Sequence, residues 1–484
     1  MEQKKIENLN KTAFKSGSSY MLSNILISAS SIITAPLFTR LLTTADYGIA
    51  SNFAAWLNIG LVIIGLGLPY SIGNAKTDFP EQLNKYLASI QTLGSIVAVI
   101  VLMIVFIFKS QVSSLMGLDQ DLVLVIFCYL LFFPSVTYAQ EMYKFILKYK
   151  QNIYISIFGT LGAILSCLIL ILYVFNEQRF YGRVLGLIVP MFIMGVFFYI
   201  KIIRNGWSSD IRKYWKYALK ISLPMIPHAL AMVVLTQIDR IMIIKLCGNS
   251  DAGLYSFGYS YAILLTIFSN AVLQAYQPWL YINYKNNTLE PIRKTNNLIA
   301  LGMCLLTIII ITIAPEVMMI LGAKNFWEAK WVVMPIAIGT LYQYMYNTYT
   351  GLELYHKKTI IIAIGTIFAA ILNYFLNSMF IPIFGYIAAA YATFFSYFAL
   401  ALFHLFAHKK VTKKKVYDDK FIWLIAIVTT LICFLIIKLY DFILIRYLVL
   451  ILFIMGVGYL QRKNVKIVYD LLIKNFIKKQ ELVL

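Results

Sequence analysis

Apolar windows about 20 residues long follow one another from residue 18 to residue 460, and that succession restricts the fold more than any other feature. A helix rises ~1.5 Å per residue, so about 20 residues cross ~30 Å of hydrocarbon. Inside the hydrocarbon each backbone N–H and C=O must find its partner within the segment, which a helix provides. The windows fall at 18–39, 50–72, 85–108, 122–143, 153–175, 183–203, 219–245, 253–275, 296–315, 330–352, 358–378, 384–407, 420–438 and 442–460. Of the 484 residues 61% are hydrophobic and 13% charged, against about 45–50% and about 25% in a soluble domain. Fourteen spans account for nearly all of that apolar content. A cytosolic enzyme, a secreted protein and a transcription factor are excluded; an all-α integral membrane protein is expected.

An even number of spans puts both ends of the chain on one side. With the N-terminal end inside, the inner loops and tails hold 32 of the 42 Lys and Arg. The clusters lie at Lys201–Lys220, Lys409–Lys420 and Arg462–Lys479; the outer loops hold nine, Arg40 and Arg183 among them. Only Arg240 is left within a span. This alternation is the positive-inside pattern, and it supports both the count and the orientation. The net charge of +21 is then topology and contact with anionic membrane lipids, not a nucleic-acid footprint. The basic start (Lys4, Lys5, Lys11, Lys15) is like that of a signal peptide, but the apolar run after it is too long and has no cleavage site. A retained first span is expected. Five scattered cysteines support neither a disulfide framework nor zinc. No GxxxxGK[ST] or HExxH occurs, so no nucleotide cassette, metal, cofactor or catalytic group is expected. Asp119-Gln120-Asp121 reads as the cap of span 4, although metal-dependent glycosyl transfer also uses such pairs.

An internal repeat divides the chain. Arg40-Leu41…Asp46-Tyr47-Gly48…Ser51 aligns without a gap, at a shift of 205, with Lys245-Leu246…Asp251-Ala252-Gly253…Ser256. Near a shift of 207, Leu147-x-x-Lys150-x-x-Ile153 matches Leu354-x-x-Lys357-x-x-Ile360. Two pseudo-symmetric six-helix lobes are expected, residues 1–215 and 216–408, with two C-terminal helices and a tail over 409–484. An even number of helices per lobe requires a parallel repeat, and two lobes with a path between them is a transporter plan.

Charges in hydrocarbon cost at least ~2.5–3.5 kcal/mol, so they generally face a cavity. In span 4, Thr137, Glu141, Lys144 and Lys148 fall within about 60° on a helix. They form either a stripe climbing from the inner surface or a helix end with snorkelling lysines and an i,i+3 ion pair. In span 7, Asp239 and Arg240 point about 100° apart and cannot simply neutralise each other. Either a ligand or a structural partner on a neighbouring helix completes them, and His228 on the same face suits a structural hydrogen bond. Span 10 carries Thr340, Gln343, Asn347, Thr350 and Lys357 among four tyrosines; span 1 carries Tyr20, Asn24, Ser28 and Ser31. Amides, hydroxyls and aromatic faces suit sugars, and equally serve as glue between helices.

Three segments carry a resemblance: Arg40-Leu41-Leu42-Thr43-Thr44-Ala45-Asp46-Tyr47-Gly48, then Leu223-Pro224…Asp239-Arg240…Gly248…Ala252-Gly253-Leu254-Tyr255-Ser256, and Leu372-Asn373…Leu376-Asn377…Ile381-Pro382…Gly385-Tyr386…Ala392-Thr393. In their order and spacing the chain resembles the Wzx-type polysaccharide flippases of the MOP (multidrug/oligosaccharidyl-lipid/polysaccharide) superfamily. The resemblance implies a MATE/MOP-like fold. It also implies movement of an undecaprenyl-pyrophosphate-linked oligosaccharide repeat unit from the inner to the outer leaflet of a bacterial cytoplasmic membrane, for capsule, O-antigen or exopolysaccharide assembly. On that basis Lys144, Lys148, Arg240 and Arg40 would take the phosphates, and Gln343 and Asn347 the sugars. Asp239 and Glu141 would balance charge or bind a coupling H+ or Na+, and a polysaccharide polymerase complex would be a partner. The chain departs from the lipid II branch in having Arg40 as the only cation of its first span. Alternatives are a teichoic-acid or other lipid-linked precursor flippase, a MATE-like exporter, which should favour acidic cavity residues, and a membrane glycosyltransferase or polymerase, which should show a large outer loop.

Overall fold

The computed structural model describes residues 33–207 and 211–460, and among these the protein is 90% helical with no strand. Helix α1, described over 33–41, is followed by α2 (Thr44–Gly65), α3 (Ile72–Asp78), α4 (Leu83–Ile107) and α5 (Lys109–Met116). Next come α6 (Gln120–Phe132), α7 (Pro134–Phe145), α8 (Tyr149–Ile169), α9 (Arg179–Gly206) and α10 (Ile211–Ser222). The second half holds α11 (Ile226–Cys247), α12 (Asn249–Ala262), α13 (Leu264–Lys285), α14 (Leu289–Thr312) and α15 (Ala314–Leu321). It ends with α16 (Lys330–Tyr355), α17 (Thr359–Phe384), α18 (Tyr386–Thr412), α19 (Asp419–Lys438) and α20 (Ile443–Leu460).

Eleven helical stretches among the described residues, some joined across a kink, are long and apolar enough to cross a membrane. The protein is a multi-pass membrane protein. The difference from fourteen has three sources. The first expected span lies mostly outside the described residues, as do its polar face, the basic N-terminal lysines and the Arg462–Lys479 cluster. Helix α16 has 26 residues, but Tyr, Thr, Gln and Asn dilute its hydropathy. The apolar part of α20, Ile443–Gly456, is short.

Prolines account for most of the shifted boundaries. Pro134 divides the expected span 122–143 into α6 and α7, because proline lacks the N–H that a continuous helix needs. Pro224 and Pro227 sit at the starts of a 3₁₀ turn and of α11, so the seventh span begins at Ile226 rather than 219. The basic stretch before it is a surface helix instead of a loop. Helix α10 buries Tyr214, Ala218 and Ser222 at i,i+4 spacing, leaves Arg212, Lys213, Lys216 and Lys220 exposed, and Trp215 Nε1 donates to the Ser89 carbonyl at 2.7 Å.

Buried residues gather in separate cores. The largest draws on residues from Ala231 to Leu450 together with Ala35; the others draw on residues between Phe38 and Ala218. At the basic end of the molecule, three helix–helix turns share one form. Leu147, Asn287 and Lys357 adopt φ of 58°, 59° and 58°, and the next N–H in each case reaches back to the carbonyl five residues earlier, on Tyr143, Asn283 and Glu353. The first and third turns pair Leu147 with Lys357, three residues beyond the 207 shift found by matching residue types.

At the far end the two copies of the other repeat meet. Thr43 caps α2 in a reciprocal capping box with Asp46. Helix α2 then packs on α12 so closely that a Cβ on Gly48 would stand 1.9 Å from the Asn249 carbonyl oxygen. One on Gly253 would stand 1.9 Å from that of Thr44, and the Thr44 and Ser250 hydroxyls are 2.6 Å apart. Only glycine permits this approach. The seam joins the two halves at that end.

Candidate functional site

Among the described residues, two of the cavities between the halves bear on function. The larger, about 440 Å³, is walled by the end of α2, by Tyr70, by Thr137, Glu141 and Lys144 of α7, and by Ala229 of α11. Lys144 Nζ lies 3.2 Å from Glu141, an i,i+3 pair with the lysine half exposed. The expected stripe stops there. Helix α7 ends at Phe145 and Leu147 turns the chain, so Lys148 is an exposed residue at the start of α8 and does not line this cavity.

The second cavity, about 210 Å³, lies deeper, between α2, α9, α11 and α12. Its polar lining includes Ser51, Arg183, Gln237, Arg240 and Ser260. Arg240 is 9% exposed; its Nη1 donates to the Thr236 carbonyl at 2.8 Å, and its guanidinium lies 4.4 Å from the centre of the Tyr259 ring. Arg183, from the other half, rests 3.7 Å from the Phe38 ring centre, with Nη1 3.4 Å from Cys167 Sγ. Neither guanidinium forms an ion pair among the described residues, although each still presents donors to the cavity. Arg183 was expected in an outer loop. Helix α9 begins at Arg179, one turn earlier than the apolar window, and carries Arg183 inward.

Asp239 points the other way, as the 100° step requires. It is fully buried and accepts from Tyr255 Oη at 2.5 Å, Asn377 Nδ2 at 2.6 Å and Thr393 Oγ1 at 2.6 Å, which ties α11 to α12, α17 and α18. Asn377 Nδ2 also lies 3.1 Å from Asn373 Oδ1, one turn away. Charge-assisted hydrogen bonds of this kind are worth about 1.5–3 kcal/mol each, and losing the acceptor would orphan three buried donors. Asn373, Asn377 and Thr393 are in the third motif above, but sequence alone assigned them no role. Their i,i+4 spacing on an otherwise apolar helix was the available signal.

The remaining expected site residues lie elsewhere. Arg40 is exposed and its Nη1 donates to the Pro36 carbonyl of its own helix at 2.9 Å, so it does not face either cavity. Gln343 accepts from Thr266 at 3.3 Å and donates to Tyr397 at 3.3 Å, joining α13, α16 and α18 within one half. Asn347 is half-buried on the same helix, and Tyr342 and Tyr349 bond Thr430 and Trp423 of α19. Much of the α16 polar stripe is therefore glue between helices. His228 is also structural, 2.9 Å from Thr366 of α17. Asp119 starts α6 as its N-cap residue and accepts from Tyr181 Oη at 3.1 Å; its side chain bonds no N–H of that helix.

Two packed halves with a cationic cavity between them make a fold that this chain shares with solved structures of MOP-superfamily transporters. The chain superposes on lipid II flippase MurJ in an inward closed conformation with a TM-score of 0.70, at 17% identity over 93% of this chain and 100% of that one. An inward-facing multidrug resistance MATE family transporter gives 0.57, at 12% identity over 81% and 98%. A MOP superfamily transporter from Pyrococcus furiosus gives 0.56, at 14% identity over 84% and 96%. The chain belongs to the polysaccharide biosynthesis protein family, which its residues 13–282 match. A protein of the Lsg locus of Haemophilus influenzae is 22% identical over 370 residues, covering 74% of this chain and 89% of that protein.

Proposed function

We propose that this protein is a flippase that carries an undecaprenyl-pyrophosphate-linked oligosaccharide repeat unit from the inner to the outer leaflet of a bacterial cytoplasmic membrane. The observation that carries this reading is the cavity shared by Arg183 and Arg240. Two guanidiniums from opposite halves form no ion pair among the described residues, and the one buried carboxylate beside them, Asp239, is turned toward Tyr255, Asn377 and Thr393, so the cavity wall carries an excess of positive charge. A pyrophosphate supplies the missing charge, and guanidinium grips phosphate oxygens in pairs. The polyprenyl tail stays in the bilayer, where each buried CH₂ is worth ~0.8 kcal/mol, so only the headgroup and sugars need a protein path.

The lobes 1–215 and 216–408 rock about the cavity, with 409–484 appended. Both termini lie in the cytoplasm, and cargo enters the cavity from the basic, cytoplasmic end. Lys144 and Glu141 stand at the entrance as the first cation and its counter-charge. Asp239 balances Arg240 across the helix or holds a coupling H+ or Na+. The glycan serves capsule, O-antigen or exopolysaccharide assembly, handed to a polysaccharide polymerase complex. A MATE-like exporter of cations is disfavoured by the same two arginines, which repel a cationic cargo.

The test uses the purified full chain in vesicles with a fluorescent lipid-linked oligosaccharide. Arg240→Ala is expected to lose nearly all flipping, and Arg240→Lys to lose most of it despite keeping the charge. Wild-type rates in both variants, at equal protein level, would overturn the anchor role.

A further inference from the structure

Away from both cavities, one column of titratable groups climbs through the second half from its basic end. Lys409 Nζ lies 3.3 Å from Asp419 Oδ2, with the lysine half exposed to the surface. Asp419 Oδ1 is buried and lies 3.7 Å from His408 Nε2, and the Tyr349 hydroxyl, which accepts from Trp423, reaches the same carboxylate. His408 Nδ1 is 3.1 Å from the His404 carbonyl, and a carbonyl can only accept, so Nδ1 carries the hydrogen. With neutral imidazole, His408 Nε2 is then an acceptor facing a carboxylate oxygen. A proton on His408 Nε2 turns that facing pair into an ion pair at 3.7 Å.

One turn deeper, His404 and Glu353 are both 0% exposed, and His404 Nδ1 lies 2.9 Å from each carboxylate oxygen. With Nδ1–H donating to the carboxylate, Nε2 is the bare nitrogen, and it has no partner. The pair then carries a net charge of −1 inside a membrane helix bundle, which is costly. One proton added at Nε2 converts it into a neutral imidazolium–carboxylate pair. Helix α17 packs against this ring at Gly365, where a Cβ would stand only 2.7 Å from His404 Nε2, so the nitrogen lies beside α17 in room that only glycine leaves.

From these contacts we infer that Glu353–His404 is a proton-binding site, loaded and unloaded through His408 and Asp419, whose occupancy shifts α17 against α18. This rests on the transporter reading above. It adds a proton site outside the Asp239 network, and a route from that site to the cavity. Helix α17 holds α11 at two places, Thr366 to His228 and Asn377 to Asp239, and α11 carries Arg240. The other titratable or charged groups around the column are Tyr346 and Tyr349 of α16, Tyr417 before α19, and His356 at the end of α16, which lies 2.9 Å from Tyr284 Oη. The Tyr349 ring stacks on His408 with centres 4.4 Å apart, which holds that imidazole toward Asp419.

The test has two readouts on the full chain in liposomes. The first needs no cargo. The chain has four histidines, so ¹⁵N-histidine labelling gives few enough signals for magic-angle NMR to follow each ring. The wild type is expected to show His404 Nε2 exchange between its bare and protonated forms as the bathing pH is varied, with loss of that change in Glu353→Gln. A His404 Nε2 that stays in one state throughout overturns the proposal, whatever the protein transports. The second readout follows the fluorescent lipid-linked oligosaccharide together with a trapped pH dye. Wild-type flipping is expected to respond to an imposed pH difference with matching proton movement; Glu353→Gln and His404→Gln are expected to lose that response. Flipping that is indifferent to the pH difference, or variants that keep the wild-type response, would overturn the proton site and leave the flippase reading standing. No flipping under any condition, with the NMR change intact, would overturn the flippase reading alone.

Discussion

Adjacent charged residues in α11 serve opposite purposes because a helix turns 100° between them. Asp239 spends its acceptor capacity on three neutral donors and locks four helices; Arg240 keeps donors turned toward the cavity. The two lysines near the entrance separate in the same way. Lys144 stands in the wall of the larger cavity, and Lys148 lies beyond the turn at Leu147. Lys144→Gln is therefore expected to slow flipping several-fold at unchanged protein level, and Lys148→Gln to leave it near wild type. Equal effects in the vesicle assay would mean that both lysines act only through membrane-surface charge.

Among the elements, the α2–α12 seam is the one that the proposed flippase cycle requires to open. Gly48 and Gly253 each sit against the carbonyl of the residue four before the other, an arrangement with the approximate two-fold relation of the repeat that encodes it. A methyl group at either position cannot be absorbed by a flexible side chain, since the obstruction is backbone. Gly48→Ala and Gly253→Ala are expected to weaken closure of the far end, raising the reactivity of a cysteine at Ser51 toward impermeant reagents. The converse lock is Thr44→Cys with Ser250→Cys, whose hydroxyl oxygens are 2.6 Å apart. Oxidation of that pair is expected to stop flipping and reduction to restore it. Transport that continues through the closed disulfide would show that cargo does not pass this seam.

At the scale of the whole molecule, the distribution of charge sets the orientation. The loop carrying Lys413, Lys414 and Lys415 is at the basic end and Asp119 at the far end, all exposed. In an otherwise cysteine-free chain, an impermeant thiol reagent on intact cells is expected to label Asp119→Cys and to spare Lys413→Cys. The reverse pattern would invert the topology and, with it, the direction of transport.

What could be read in the residues before any contact was known came from interactions that act along the chain. The length of an apolar run decides whether a helix crosses hydrocarbon, and the side of each basic loop follows from its neighbours, so the all-helical membrane class and the alternation of charge were legible. The repeat was legible too, because two copies of one packing problem keep similar residues. Span 4 shows where that reading stops: its helical wheel placed Lys148 beside Lys144, and neither the break at Pro134 nor the turn at Leu147 shows in an angle of 100° per residue. Arg183 shows the same limit, since one extra turn at the start of α9 moved it from an expected loop to a cavity wall. A wheel describes directions about one axis. Whether a polar side chain then meets a cavity, as Arg240 does, or a neighbouring helix, as Gln343 and Asp239 do, depends on what stands at the same depth across the gap. Only the packing of the two halves decided that, because it sets which helices are neighbours and where they fail to touch.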